Sequence, residues 1–119
     1  MKTLLTDLIE KLKTVEPEKF DLRKWLIIRD KDIISGCPLT YGCLIPSWKE
    51  RGITLSAVGN AFEPNFQNET GGFAIATFFN KPYSWVREIF YPDLYKEKTG
   101  KPALDAVIAR IKKEIDHGP

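Results

Sequence analysis

Histidine, methionine and cysteine are almost missing from this chain, which holds one His, one Met and two Cys in 119 residues. That scarcity limits the chemistry. A structural zinc site wants four ligands, usually in two close pairs, and a nucleophilic thiol wants a base beside it. The one histidine, His117, stands far along the sequence from Cys37 and Cys43. The two cysteines also lack the two-residue interval of a redox pair. They are expected to be reduced, metal-free packing residues. No cofactor and no catalytic residue is assigned.

Long apolar runs are missing too. The opening stretch Met1-Lys-Thr-Leu-Leu-Thr-Asp-Leu-Ile-Glu10 is interrupted by Asp7 and Glu10, so it does not read as a secretion signal. Nothing later approaches the ~20 apolar residues of a membrane-spanning helix. A cytoplasmic protein without membrane contact is expected, and Asn68-Glu-Thr70 then matches the glycosylation pattern by chance. Charge of one sign is also absent: 18 basic and 16 acidic residues leave +2, interleaved along the chain. Nucleic-acid binding would need clustered Lys and Arg to neutralise several phosphates. With 43% hydrophobic and 29% charged residues, one soluble domain over residues 1–119 is expected.

What is present is mostly helical periodicity. Leu4, Leu5, Leu8, Ile9, Leu12 and Val15 form one stripe, predicting an amphipathic helix over residues 3–15 that Pro17 stops. Asp21 is suited to cap a second short helix with Leu22, Trp25 and Leu26 on its inner side. Arg29-Asp-Lys-Asp32 marks a polar turn. From Gly36 to Trp48 the helical spacing returns, with Pro46 forcing a kink or an end near Ile45. Ile53–Val58 alternates, Gly59-Asn60 is a turn pair, and Ala61–Phe66 returns as a second strand that Pro64 keeps at an edge. Gln67 to Gly71 reads as a polar loop, and Gly71-Gly72 gives backbone freedom before a helix. Ala103, Leu104, Val107, Ile108, Ile111 and Ile115 form the stripe of a last helix opened by Lys101-Pro102.

The segment 72–91 carries two apolar-periodic pieces around Asn80-Lys-Pro82 and reads as helix, turn, helix. Ile75, Ala76 and Phe79 would face inward from the first helix, Val86 and Ile89 from the second. A DNA-reading unit would present Tyr83, Ser84 and Arg87 to a groove. The turn fits such a unit poorly, because Lys81 and Pro82 take the place of a small apolar residue. Trp85 and Phe90 suit a core better than a groove. Glu63, Glu69, Glu88 and Asp93 lie near aromatic residues, yet solvated or capping roles explain them; Asp21, Asp105 and Glu69 each have a helix-start explanation.

Four stretches in order complete the pattern: Phe20-Asp-Leu-Arg-Lys-Trp25, Gly36-Cys-Pro-Leu-Thr-Tyr-Gly-Cys43, Ala74-Ile-Ala-Thr-Phe-Phe79 and Ile89-Phe-Tyr-Pro-Asp-Leu-Tyr95. This order resembles small uncharacterised proteins of bacteria and their phages. Pro38 and Leu39 depart from that pattern, as does Pro46. The resemblance implies the same order of elements and a phage or mobile-element setting, and it implies no reaction or ligand.

The resulting expectation is a mainly helical α+β domain, with about five or six short helices and a two-stranded β-hairpin as an appendage. The function expected is that of a non-catalytic accessory or interaction protein with a protein partner or a second copy of itself. The alternative is a helix-turn-helix DNA-binding regulator using residues 73–90.

Overall fold

Two amphipathic helices from opposite ends of the sequence cover one another. In the computed structural model, which describes residues 1–117, helix α1 (Lys2–Leu12) buries Leu4, Leu5, Leu8, Ile9 and Leu12. It packs along helix α6 (Gly100–His117), which buries Ala103, Leu104, Val107 and Ile111. Each stripe thus removes the other from water. Helix α1 ends one turn before Val15, and Pro17 opens a 3₁₀ turn, Pro17–Lys19.

The expected architecture of helices with one appended two-stranded hairpin is corrected by the strand content. Among the described residues there are six α-helices and five strands in two sheets. Strands β1 (Ile27–Arg29) and β2 (Asp32–Ser35) form an antiparallel hairpin with Arg29 opposite Asp32. Its turn residues, Asp30 and Lys31, have φ of 51° and 71°. Asp tolerates this left-handed region, but Lys carries no signal for it, so the hairpin is hidden in the sequence.

The helix expected after Asp21 is absent as well. The Asp21 carboxylate accepts the Arg23 backbone N–H at 2.9 Å, a local turn that competes with helix capping. Leu26 is then committed to a bridge with Phe62: its N–H donates at 3.1 Å and its C=O accepts at 2.8 Å. Trp25 therefore stands on an extended segment, half-buried, and not on an inward helical stripe.

The Gly36–Trp48 stretch ends its first helix before Pro46, which starts the next. Helices α2 (Pro38–Gly42) and α3 (Pro46–Glu50) each carry proline in the first turn, where a missing N–H costs nothing. Trp48 of α3 is fully buried, and its Nε1–H donates to the Leu4 carbonyl at 3.1 Å.

Strands β3 (Thr54–Val58), β4 (Ala61–Phe66) and β5 (Glu69–Thr70) form an antiparallel sheet with β4 in the middle. Pro64 is thus not on an edge strand, and it is buried. It is tolerated because β5 pairs only with Asn65 and Phe66, while the bridge to Leu26 lies at Phe62. Between those partners no ladder hydrogen bond is asked of residue 64. The polar loop expected at 67–71 is a tight turn instead, with Gln67 and Asn68 at φ of 51° and 69°.

Helices α4 (Gly71–Phe79) and α5 (Tyr83–Phe90) form the pair read from the sequence, separated by Asn80 in the left-handed region at φ 55°. Helix α4 lies on β4. Val86, Ile89 and Phe90 of α5 are buried, and Trp85 is half-buried with its Nε1–H donating to Glu114 at 2.7 Å. The bond from Trp85 holds the Glu114 carboxyl below its ordinary value; partial burial opposes this and Arg110 reinforces it.

Candidate functional site: a pocket between Trp25 and Tyr91

Three segments far apart in the sequence meet at one pocket of about 300 Å³: residues 22–25, Cys37 with Leu39, and residues 90–93. The first segment is stitched down from both sides. Asp21 N–H donates to Gly36 at 3.0 Å, Leu22 N–H to Lys98 at 2.9 Å, and Gly100 N–H to Phe20 at 3.2 Å. The third segment is fixed by Pro92, which opens a 3₁₀ turn, Pro92–Leu94, directly after α5. Leu22, Trp25, Leu39, Phe90, Tyr91 and Pro92 make the walls apolar.

Two adjacent glycines lie near the two aromatic rings, and only Gly72 is in tight contact. A Cβ on Gly71 would stand 3.5 Å from Trp25 Cζ2, and one on Gly72 would stand 2.3 Å from the Tyr91 hydroxyl oxygen. Gly71 also takes φ of 63°, a conformation that favours glycine. The Tyr91 and Tyr83 hydroxyls share a hydrogen bond of 2.8 Å. Burial, and then this hydrogen bond, push the Tyr91 phenol well above its ordinary value.

The rim is charged. Arg23 grips Asp21 with both ends of its guanidinium, Nε at 3.0 Å and Nη2 at 3.1 Å from the two carboxylate oxygens. Lys24 lies at 4.0 Å from the same carboxylate. Burial raises the Asp21 carboxyl, but the hydrogen bonds from Arg23 and the charges of Arg23 and Lys24 outweigh it and hold the group below its ordinary value. Asp93, which also lines the pocket, is paired with Arg87 at 3.1 Å.

The Cys37 thiol belongs to the floor. It is 4% exposed, and burial raises its pKa against the weaker opposing effect of Thr40, whose hydroxyl lies 3.6 Å away. Cys43 is buried and raised for the same reason. A thiol held neutral is a small apolar surface and not a ready nucleophile. Among the described residues, no three His, Cys, Asp or Glu side chains group in a way that could hold a metal ion. No helix there is long and apolar enough to cross a membrane.

The residues named for DNA reading separate. Ser84 and Arg87 share a shallow groove with Glu88, Asp93 and Leu94. Tyr83 turns away to stack on Phe73, with ring centroids 4.4 Å apart, and to bond Tyr91. The groove holds two carboxylates beside its one guanidinium. The acids assigned to helix starts also differ: Asp105 pairs with Lys101 at 2.9 Å, and Glu69 lies in β5 and accepts from Thr77.

Sequence reasoning did not assemble the pocket, because Arg23, Lys24 and Asp93 have no spacing that links them. A signal was nonetheless present. Three of the four stretches set out from the sequence, Phe20–Trp25, Gly36–Cys43 and Ile89–Tyr95, each contribute lining residues, among them Trp25, Cys37 and the Phe90-Tyr91-Pro92 run. Comparison of the chain with protein-family models, with curated proteins and with solved structures gives no match.

Proposed function

We propose that this protein works by binding and not by catalysis, as a cytoplasmic accessory protein, and that the pocket between Trp25 and Tyr91 is its recognition site. The observation that carries this reading is the convergence of three separated segments on one apolar cavity, with Gly72 packed so closely on the Tyr91 hydroxyl that a side chain there would displace it. A volume near 300 Å³ is at the small end of ligand sites, which are typically apolar with a few placed polar groups. The resemblance to small phage and bacterial proteins supports an accessory role in a phage or mobile-element setting.

A protein partner, or a second copy of the chain, is favoured by two other side chains. Phe73 is 58% and Leu94 64% exposed, the highest among the large apolar residues. Phe73 stacks on Tyr83, and Leu94 follows the rim residue Asp93. Exposed apolar side chains of this size are what a partner surface would cover. DNA regulation has less support, because Arg87 is already paired and Glu88 stands next to it.

The test is amide-resolved NMR of the full chain against small apolar fragments. Shifts confined to residues 22–25, 37–39 and 90–93 are expected. Shifts spread over other surfaces, or none at all, would overturn the assignment of the site.

A further inference from the structure

We infer that the pocket selects a small apolar monocarboxylate, whose anionic end pairs with Lys24 at the rim. The inference rests on the pocket being the binding site and adds the class of ligand. Four charged groups bear on the lip, and three of them are satisfied within the protein. Arg23 makes a two-pronged contact with Asp21 at 3.0 and 3.1 Å. Asp93 is held by Arg87 at 3.1 Å. Lys24, at 4.0 Å from an Asp21 oxygen that Arg23 already engages, sits at the limit of an ion pair.

The rim beside Trp25 therefore carries one loosely held positive charge, since Arg23, Lys24 and Asp21 together leave +1. An anion reaching the mouth gains this attraction at a partly desolvated position. Its own desolvation stays modest because the Lys24 side chain is 52% exposed. A cation would meet Arg23 and Lys24, and the one carboxylate in the lining, Asp93, is already paired. A neutral ligand would be held by the walls alone. The walls suit a flat or short-chain body, since Trp25, Phe90 and Tyr91 present rings and Leu22, Leu39 and Pro92 fill between them.

The experiment titrates the full chain with a matched set, phenylacetate, phenethyl alcohol and phenethylamine, following the amide shifts of residues 22–25 and 90–93. Phenylacetate is expected to bind about two- to fivefold tighter than the alcohol, the range of a partly exposed ion pair. Lys24→Gln should abolish that preference by bringing phenylacetate down to the affinity of the alcohol; Lys24 is exposed, so the variant should fold as the parent does. If all three probes bind this pocket alike, if the amine binds tightest, or if the preference survives Lys24→Gln, the carboxylate assignment is overturned while the pocket stands. If none of the three shifts these residues, the pocket itself is overturned as the site.

Discussion

Gly72 packs against the hydroxyl end of Tyr91, so close that a Cβ would come within 2.3 Å of the hydroxyl oxygen and 2.8 Å of Tyr83 Cε1. Two effects oppose each other in Gly72→Ala. Helix propensity favours alanine by about 1 kcal/mol. Displacing two packed rings costs about 1–3 kcal/mol, and the left-over misfit falls on a pocket wall. The expected net result is a small loss of stability, read as a lowered midpoint in urea, together with weaker pocket binding. A variant as stable as the parent and binding equally well would show that Tyr91 moves freely.

Phe79 and Trp25 should respond differently to truncation. Phe79 is 6% exposed and packs edge-on against Trp48 at 5.3 Å, so Phe79→Ala should cost about 3–5 kcal/mol. Trp25 is half-buried at the pocket, so Trp25→Ala should cost roughly half as much and remove the pocket's binding. Equilibrium denaturation of both variants gives the order. The reverse order would mean that the indole, and not the phenyl ring, anchors the core.

That contrast also shows what the sequence could carry. The stripes of α1 and α6, and the α4–α5 pair, are legible because each repeats an apolar residue at helical spacing over two or more turns. The β1–β2 hairpin is not, since its strands are three and four residues long and its turn uses Asp30-Lys31 in place of a glycine pair. Trp25 follows the same logic. Its spacing from Leu22 and Leu26 suits a helix, yet the Asp21–Arg23 turn and the Leu26–Phe62 bridge impose an extended path. The pocket is a product of those long-range pairings, so no local pattern announces it.

Asp21 should make stability depend on acidity. Its folded pKa lies below the ordinary 3.8, so its contribution is fully present above that value and is lost as pH falls through the folded one. Asp21→Asn should cost about 1–2 kcal/mol near neutral pH, a figure reduced because Arg23 is solvent-exposed. Urea midpoints of parent and variant should converge on acidification. A gap that stays constant down to strongly acid solution would show that the carboxylate charge is not what stabilises the turn.

Both thiols should resist modification. Burial raises Cys37 and Cys43, so little thiolate exists near neutral pH and neither sulfur is open to reagent. Reaction with a disulfide reagent should be slow in the native protein and fast in denaturant. Rapid native labelling at Cys37 would mean that the pocket floor opens.

DNA binding through α5 should be weak. Ser84 and Arg87 do share a groove, but Arg87 already donates to Asp93 at 3.1 Å, and Glu88 is in the same groove. A phosphate approaching there must break the ion pair and face two carboxylates, and Tyr83 is turned away to Phe73 and Tyr91. The buried face of α5 is committed to the core through Val86, Ile89 and Phe90, which leaves no further row of side chains for base contacts. In titrations with mixed-sequence duplexes at physiological salt, the parent and Arg87→Ala should be alike. Asp93→Asn, which frees the guanidinium, should raise only a weak binding that added salt removes. Tight, sequence-selective binding by the parent that Arg87→Ala abolishes would make the regulator reading the leading one.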